Sequence, residues 1–308
     1  MEMKLTADNK KFLWILIIAL ISLILASNAF AGGLKVIHEK TFNVKPGEKL
    51  ELDAYCGDIV INTWDKNELY VKVFGNNRAE DNIDFEFVKT SSGVRITAER
   101  EGSIFFNWFS SINLRFEINM PKEFDVEVET SGGDISAKNL KGKMTYKTSG
   151  GDVALNSTSG QLLIKTSGGD IDLTNHIGES EAQTSGGNIK CMNTKGDLYV
   201  RTSGGSIQLK AVDGKINAHT SGGDIELDYS GVNRGVELTT SGGDIDVFLP
   251  SDFKAEVELR TSGGSIETEF TTTKTYKIKS YLFEAEFNGG GNKLYCKTSG
   301  GDVTVKEK

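Results

Sequence analysis

Proline and cysteine are both scarce in this sequence of 308 residues, at three each. With so little proline no Pro-rich linker divides the chain, and 35 glycines are left to make the turns. Cys56, Cys191 and Cys296 are too few and too scattered for a disulfide framework. The three histidines, His38, His176 and His219, share no motif spacing. Positive charge is also short: 35 Lys and Arg against 43 Asp and Glu leave −8, a poor balance for binding nucleic acid. No long apolar run follows residue 31, so the remainder is expected to be soluble.

What is present begins with a leader. Lys4, Lys10 and Lys11 precede an apolar run from Phe12 to Ala26, and Ser27-Asn28-Ala29-Phe30-Ala31-Gly32 supplies small residues in an A-x-A arrangement. Residues 1–31 therefore read as a signal peptide, with cleavage after Ala31. The alternative is a retained membrane anchor, because Phe12 to Ala31 is about long enough to span a bilayer. Cleavage removes three lysines and two acidic residues and shifts the charge to −9. No cysteine stands near the cleavage site to carry a lipid. The rest is dense in Thr, Ser, Val and Ile, which favours strands, with helices nearly absent.

From Thr130 the sequence is periodic. Thr-Ser-Gly-Gly starts at Thr130, Thr148, Thr166, Thr184, Thr202, Thr220, Thr240, Thr261 and Thr298; the first five intervals are 18 residues, and the later ones 20, 21 and 37. The longest interval reads as two repeats with one motif worn away. Counting the Thr as position 1, position 6 is always Ile or Val, from Ile135 to Val303, and position 8 is mostly Leu or Val. A second apolar pair stands at positions 15 and 17, as in Leu162 with Ile164 and Leu198 with Val200. Position 13 is Gly in Gly142, Gly160, Gly178, Gly196 and Gly214. Each repeat is thus strand, glycine turn, strand, Ser-Gly-Gly turn, with both strands aiming apolar side chains inward. One such coil cannot bury its own core, but stacked coils can, at about 4.8 Å per step. A coil of three six-residue turns would need apolar marks every six residues; the marks at 6, 8, 15 and 17 favour a flattened two-sided coil.

The expected fold is all-β, a single-domain parallel β-solenoid of about 18-residue two-strand coils. Residues 32–129 read as irregular N-terminal coils and 130–308 as the regular solenoid. Gly57-Asp58-Ile59-Val60-Ile61 carries the repeat's core weakly upstream, and Thr90-Ser91-Ser92-Gly93 lies 36 residues, two periods, beyond Ala54.

Several of these segments resemble a known family. Pro46-Gly47-Glu48-Lys49-Leu50, then Gly57-Asp58-Ile59-Val60-Ile61 with Trp64, then Ile118-Asn119-Met120-Pro121-Lys122 before the first Thr-Ser-Gly-Gly-Asp-Ile are similar to the exported bacterial "putative adhesin" domain family. The likeness runs over residues 34–306. It implies a β-solenoid at the cell envelope, with no catalytic residues and no cofactor to carry over.

Column by column, the residues argue against chemistry. Position 5 is Asp134, Asp152, Asp170, Asn188, Ser206, Asp224, Asp244, Ser265 and Asp302. Interchange of Asp, Asn and Ser suits turn capping through backbone N–H bonds better than a metal's charge demand. The 18-residue coils leave no long loops for a polysaccharide-cleaving β-helix, the enzymatic alternative. Continuing the alternation turns the Thr ladder inward, away from any ice-binding face. Cys191 and Cys296 also point inward, about six repeats or 29 Å apart at the strand spacing, while Cys56 lies in a turn.

Two features remain for binding. Outward position 18 is Lys147, Lys165, Gln183, Arg201, His219, Arg260 and Lys297, a candidate stripe for anionic glycan or phosphate. The run Phe105-Phe106-Asn107-Trp108-Phe109 is a candidate cap over the solenoid's end or a contact for a membrane or partner. The expected protein is a non-catalytic envelope adhesin or scaffold, with envelope glycan as partner; the alternative is an envelope-stress or regulatory component holding a membrane protein through the aromatic run. Edman sequencing of the protein recovered from the cell envelope should read Gly32-Gly33-Leu34; an N-terminus at Met1 or Glu2 would instead establish a retained anchor.

Overall fold

The structure is a computed structural model that describes residues 33–100 and 111–308. The leader of residues 1–31 and the aromatic run at Phe105, Phe106, Trp108 and Phe109 lie outside the described residues. Among those described, 27 strands form one sheet of 13 strands, here sheet A, and one of 14, here sheet B. A single six-residue helix, Asn77–Asn82, is described beside them.

The regular part is the expected solenoid. In one coil, Leu162–Lys165 runs in sheet B, Thr166-Ser167-Gly168-Gly169 turns the corner, and Ile171–Ile177 runs in sheet A. Strands pair in parallel with their equivalents in register: Leu162 faces Ser180, Ser180 faces Leu198, and Leu198 faces Ile216. Inward positions are buried and outward ones are not, so Leu162 and Ile164 meet Ile171 and Leu173 across a narrow core. Each such side chain contributes about 1.5–3 kcal/mol relative to exposure.

The return corner holds a column the alternation did not reveal. Asn139, Ser157, Asn175, Asn193 and Ala211 all adopt left-handed backbone with φ between 52° and 59°, a conformation Asn tolerates best after Gly. Asn193 Nδ2 donates to Asn175 Oδ1 at 3.1 Å. Just past this corner, isolated parallel bridges such as Ile177 with Lys195 and Lys195 with Asp213 add a third, short edge to the flattened coil.

The ends depart from chain order. The last coil, Lys293–Lys297 with Val303–Glu307, is seated between the coil of Val236–Thr239 with Ile245–Leu249 and that of Ala255–Arg260 with Ile266–Thr268. At the other end, Lys49–Ala54 with Asp58–Trp64 is seated between Gly93–Arg100 with Leu114–Pro121 and Asp125–Thr130 with Ile135–Lys138. Each terminal coil is thereby paired on both sides. Except at Ile266–Thr268, which closes sheet A in parallel, the outermost strands are antiparallel additions: Lys35–Asn43 and Glu68–Gly75 on sheet A, Ile83–Lys89 on sheet B, and at the far end the hairpin Thr272–Lys279 with Leu282–Phe287.

Three readings of spacing are corrected by this topology. The 37-residue interval is not two worn repeats but that antiparallel hairpin followed by the intercalated coil. Thr90-Ser91-Ser92-Gly93 is not a repeat corner, because Thr130 aligns with Ala54 and Ala98, while Gly93 aligns with Lys49 at the opposite strand end. Cys191 and Cys296 stand four coils apart rather than six, about 19 Å at the strand spacing, and remain free.

The two glycines of each corner are not equivalent. A Cβ on Gly169 would fall 2.0 Å from the Gly151 carbonyl oxygen of the previous coil, whereas one on Gly168 would meet its nearest atom at 3.7 Å. Gly169→Ala should therefore lower unfolding stability by about 3 kcal/mol, while Gly168→Ala should stay within about 0.5 kcal/mol of the parent, both read from urea midpoints.

Candidate functional site

Burial of positions 15 and 17 leaves positions 14, 16 and 18 on the outer face of sheet B. The ladder brings the expected cationic stripe together. Lys147 faces Lys165, Lys165 faces Gln183, Gln183 faces Arg201, and Arg201 faces His219. His219 faces Thr239, Thr239 faces Lys297, and Lys297 faces Arg260, a junction that exists only because the last coil is intercalated.

The stripe is not uniformly free. Lys147 Nζ lies 3.1 Å from Glu129, and Arg260 is engaged by Glu258, with Glu284 at 4.0 Å. Among the described residues Lys165, Arg201 and Lys297 have no carboxylate oxygen within 4.0 Å. His219 is half-buried rather than fully outward, its Nδ1 2.7 Å from Thr239 Oγ1. Burial holds its pKa below the usual imidazole range, and the Arg201 charge lowers it further, so His219 is neutral near pH 7.

Beside the stripe runs a groove. One stretch of about 530 Å³ is lined by Leu163, Glu181 and Tyr199 and reaches Asn217. A second of about 550 Å³ continues from Asn217 past Glu237 to Tyr295, with Arg260 on its wall. Leu163, Glu181, Tyr199 and Asn217 stand at position 16, and Glu237 and Tyr295 continue the same column in register from strand to strand. From Lys143 to Arg260 the groove crosses eight strands, about 34 Å at the ladder spacing. Its floor presents an aliphatic or aromatic side chain every two or three coils, with hydrogen-bonding groups between. The sequence carried this signal at position 16, but a column that changes chemistry at every step does not stand out from a polar face.

The Asp column serves backbone. Asp170 N donates to Asp152 Oδ1 at 2.7 Å and Asn188 N to Asp170 Oδ1 at 2.6 Å. The donor in each case belongs to the next coil rather than to the residue's own turn. The chain of bonds passes from Asp58 to Asp134 at one end and through Asp244, Asp302 and Ser265 at the other. Among the described residues no group of three or more His, Cys, Asp or Glu is placed to hold a metal ion.

The remaining candidates are interior. His176 is fully buried, its Nδ1 2.9 Å from Thr158 Oγ1, and burial holds its pKa down. Burial raises the Cys191 thiol to about 12 and the Cys296 thiol in the same direction, so neither is a reactive thiolate. Cys56 is partly covered and its thiol is also raised by burial.

The sequence profile described as Toastrack DUF4097 matches residues 47–306. No curated protein matches the chain. Solved structures that it resembles include a "putative adhesin" from Bacteroides fragilis at 16% identity, covering 89% of this chain and 97% of that one with a TM-score of 0.40. Another "putative adhesin", from Parabacteroides merdae, is 12% identical over 88% of this chain and 95% of that one, with a TM-score of 0.37. A "putative cell adhesion protein" from Clostridium sporogenes is 13% identical over 89% of this chain and 100% of that one, with a TM-score of 0.20.

The electrostatics of the stripe can be read at His219. Its imidazole should titrate below 6.5 in a proton NMR pH series, and Arg201→Ala should move the midpoint upward without restoring it fully, because burial, the larger cause, remains.

Proposed function

The chain belongs to the Toastrack DUF4097 family, and on that premise we propose that it is an exported, non-catalytic adhesion protein that binds acidic glycan along the outer face of sheet B. The observation that carries the proposal is the juxtaposition of Lys165, Arg201 and Lys297, which have no carboxylate partner among the described residues, with a groove whose floor holds Leu163, Tyr199 and Tyr295. Flat rings and an aliphatic patch suit the apolar faces of pyranose rings. Unpaired cations beside them suit carboxylate or sulfate substituents. Spacing fixed by the ladder suits a polymer, which can lie across several coils and gain avidity without any deep pocket.

A binding role also fits the condition of the polar groups along the groove. Glu181 accepts from Gln183 Nε2 at 2.7 Å, Asp197 accepts from the backbone N–H of Lys215 at 3.3 Å, and Glu237 accepts from Asn217 Nδ2 at 3.2 Å. These carboxylates are held by neighbours on the same face, which supports a fixed recognition surface more than an acid and base pair poised for proton transfer.

The test is affinity for alginate and heparin measured across a salt series. The Lys165→Ala/Arg201→Ala/Lys297→Ala variant should bind about tenfold or more weakly and show a log–log salt slope shallower by about two to three, while Lys147→Ala, already paired to Glu129, should change little. Retention of full polyanion affinity by the triple variant would refute the proposal.

A further inference from the structure

Sheet B outruns sheet A at the C-terminal end. Beyond Ala255–Arg260 it continues through Leu282–Phe287 to Thr272–Lys279, whereas sheet A stops at Ile266–Thr268. The first overhanging strand is covered, with Phe270 stacked on Phe287 at 4.7 Å and Phe283 and Ala285 buried. The second, Thr272–Lys279, has no strand on its far side among the described residues and is exposed along nearly its whole length.

Its composition is unusual for an exposed edge. Eight large hydrophobic residues are exposed among those described, and three of them fall within six residues here: Tyr276 at 54%, Ile278 at 65% and Tyr281 at 50%. Lys274, Lys277 and Lys279 alternate with them, and no acidic residue occurs between 270 and 283. Lys274 Nζ sits 4.7 Å from the Tyr276 ring centre and Lys279 Nζ 5.5 Å from that of Tyr281. Glu284 and Glu286 lie one strand inward; Glu286 engages Lys274 at 3.9 Å but is only 20% exposed, against 62% for the lysine. The outermost surface is therefore cationic on an acidic chain.

Protection of an edge explains part of this pattern. Lysines discourage strand addition, and the register shifts between Thr272 and Lys274 and between Thr275 and Lys277 already break the hydrogen-bonding row. Neither device needs two tyrosines and an isoleucine in water. Amphipathic rings interleaved with long cationic stems match instead the boundary between headgroups and acyl chains, where rings sit at the interface and ammonium groups reach the anionic layer.

We propose that the hairpin Thr272–Phe287 is a docking edge for an anionic phospholipid surface, with Tyr276, Ile278 and Tyr281 entering the interface and Lys274, Lys277 and Lys279 pairing with headgroups. The groove lies on the outer face of the same sheet, so a protein docked by this edge keeps the groove open. The inference stands independently of glycan binding.

The test is binding to phosphatidylglycerol-containing vesicles against pure phosphatidylcholine vesicles, using the protein purified in its processed form. Preference for the anionic vesicles is expected. Lys274→Gln/Lys277→Gln/Lys279→Gln should cost about a hundredfold, at roughly fivefold per lysine, and Tyr276→Ser/Ile278→Ser/Tyr281→Ser at least tenfold, with unchanged circular dichroism. The Lys165→Ala/Arg201→Ala/Lys297→Ala variant should bind vesicles like the parent. Hydrogen exchange should show protection of residues 272–283 on adding vesicles, a readout that a leader-borne interaction would not produce. Undiminished vesicle binding by both hairpin variants, no protection of 272–283, or protection arising without vesicles through self-association would each overturn the proposal.

Discussion

The close approach of successive backbones at the Thr-Ser-Gly-Gly corner governs the rest of the structure. Parallel stacking fixes the step between coils, and at the corner the chain passes so near its predecessor that the second glycine leaves no room for a side chain. Chain this close to chain must also satisfy its polar groups. The corner threonine does so from within: Thr166 Oγ1 donates to the Gly151 carbonyl at 2.9 Å and accepts from Gly169 N at 3.3 Å. From outside, the position-5 side chain accepts the next coil's N–H. Glycine, threonine and aspartate are thus three answers to one spacing, and the motif recurs because the spacing does.

The corner motif also explains why the repeat could be read directly from residues. Inward strand positions are mostly apolar, Ser180 being an exception, so Ile171 and Leu173 or Leu162 and Ile164 print their orientation into the sequence, and the two-sheet coil follows. Chain order at the ends is not printed in this way. The Thr298 corner is built like any other, with Thr298 Oγ1 on the Gly243 carbonyl and Thr261 Oγ1 on that of Gly301. At that end nothing local distinguishes a coil that follows its predecessor from one inserted a place earlier, because the Thr298 corner makes the same bonds as corners stacked in sequence order, such as that of Thr166. The left-handed Asn column was missed for the converse reason: Ser157 and Ala211 share its conformation, and no composition rule anticipates them.

Intercalation has an energetic logic. A terminal coil at the end of a stack has one face unpaired and is the first to fray. Seating the first and last coils one place inward gives each of them partners on both sides and leaves the outermost positions to other segments, among them the Lys35–Asn43 strand at the edge of sheet A. At three of the four sheet edges the outermost described strand is antiparallel, which ends the ladder there without presenting a parallel edge to a further coil, while Ile266–Thr268 closes sheet A in parallel. The arrangement relies on contacts between residues distant in sequence, which slows assembly relative to a stack that zips in order.

With interior columns and corners committed to the fold, chemical variation is greatest in the outward columns, and there the residues of sheet B depart from uniformity. Position 18 was legible as basic, but only the ladder reveals that Glu129 claims Lys147 and Glu258 claims Arg260, leaving Lys165, Arg201 and Lys297 as separated charges. Position 16 looked like an ordinary polar face until its rings and aliphatic residue lined up along one groove. A surface whose spacing is imposed by backbone stacking cannot shape itself to a compact ligand. It can offer a repeating ligand the same geometry several times, and that physical bias, rather than any single side chain, is what directs the functional reading to polymers.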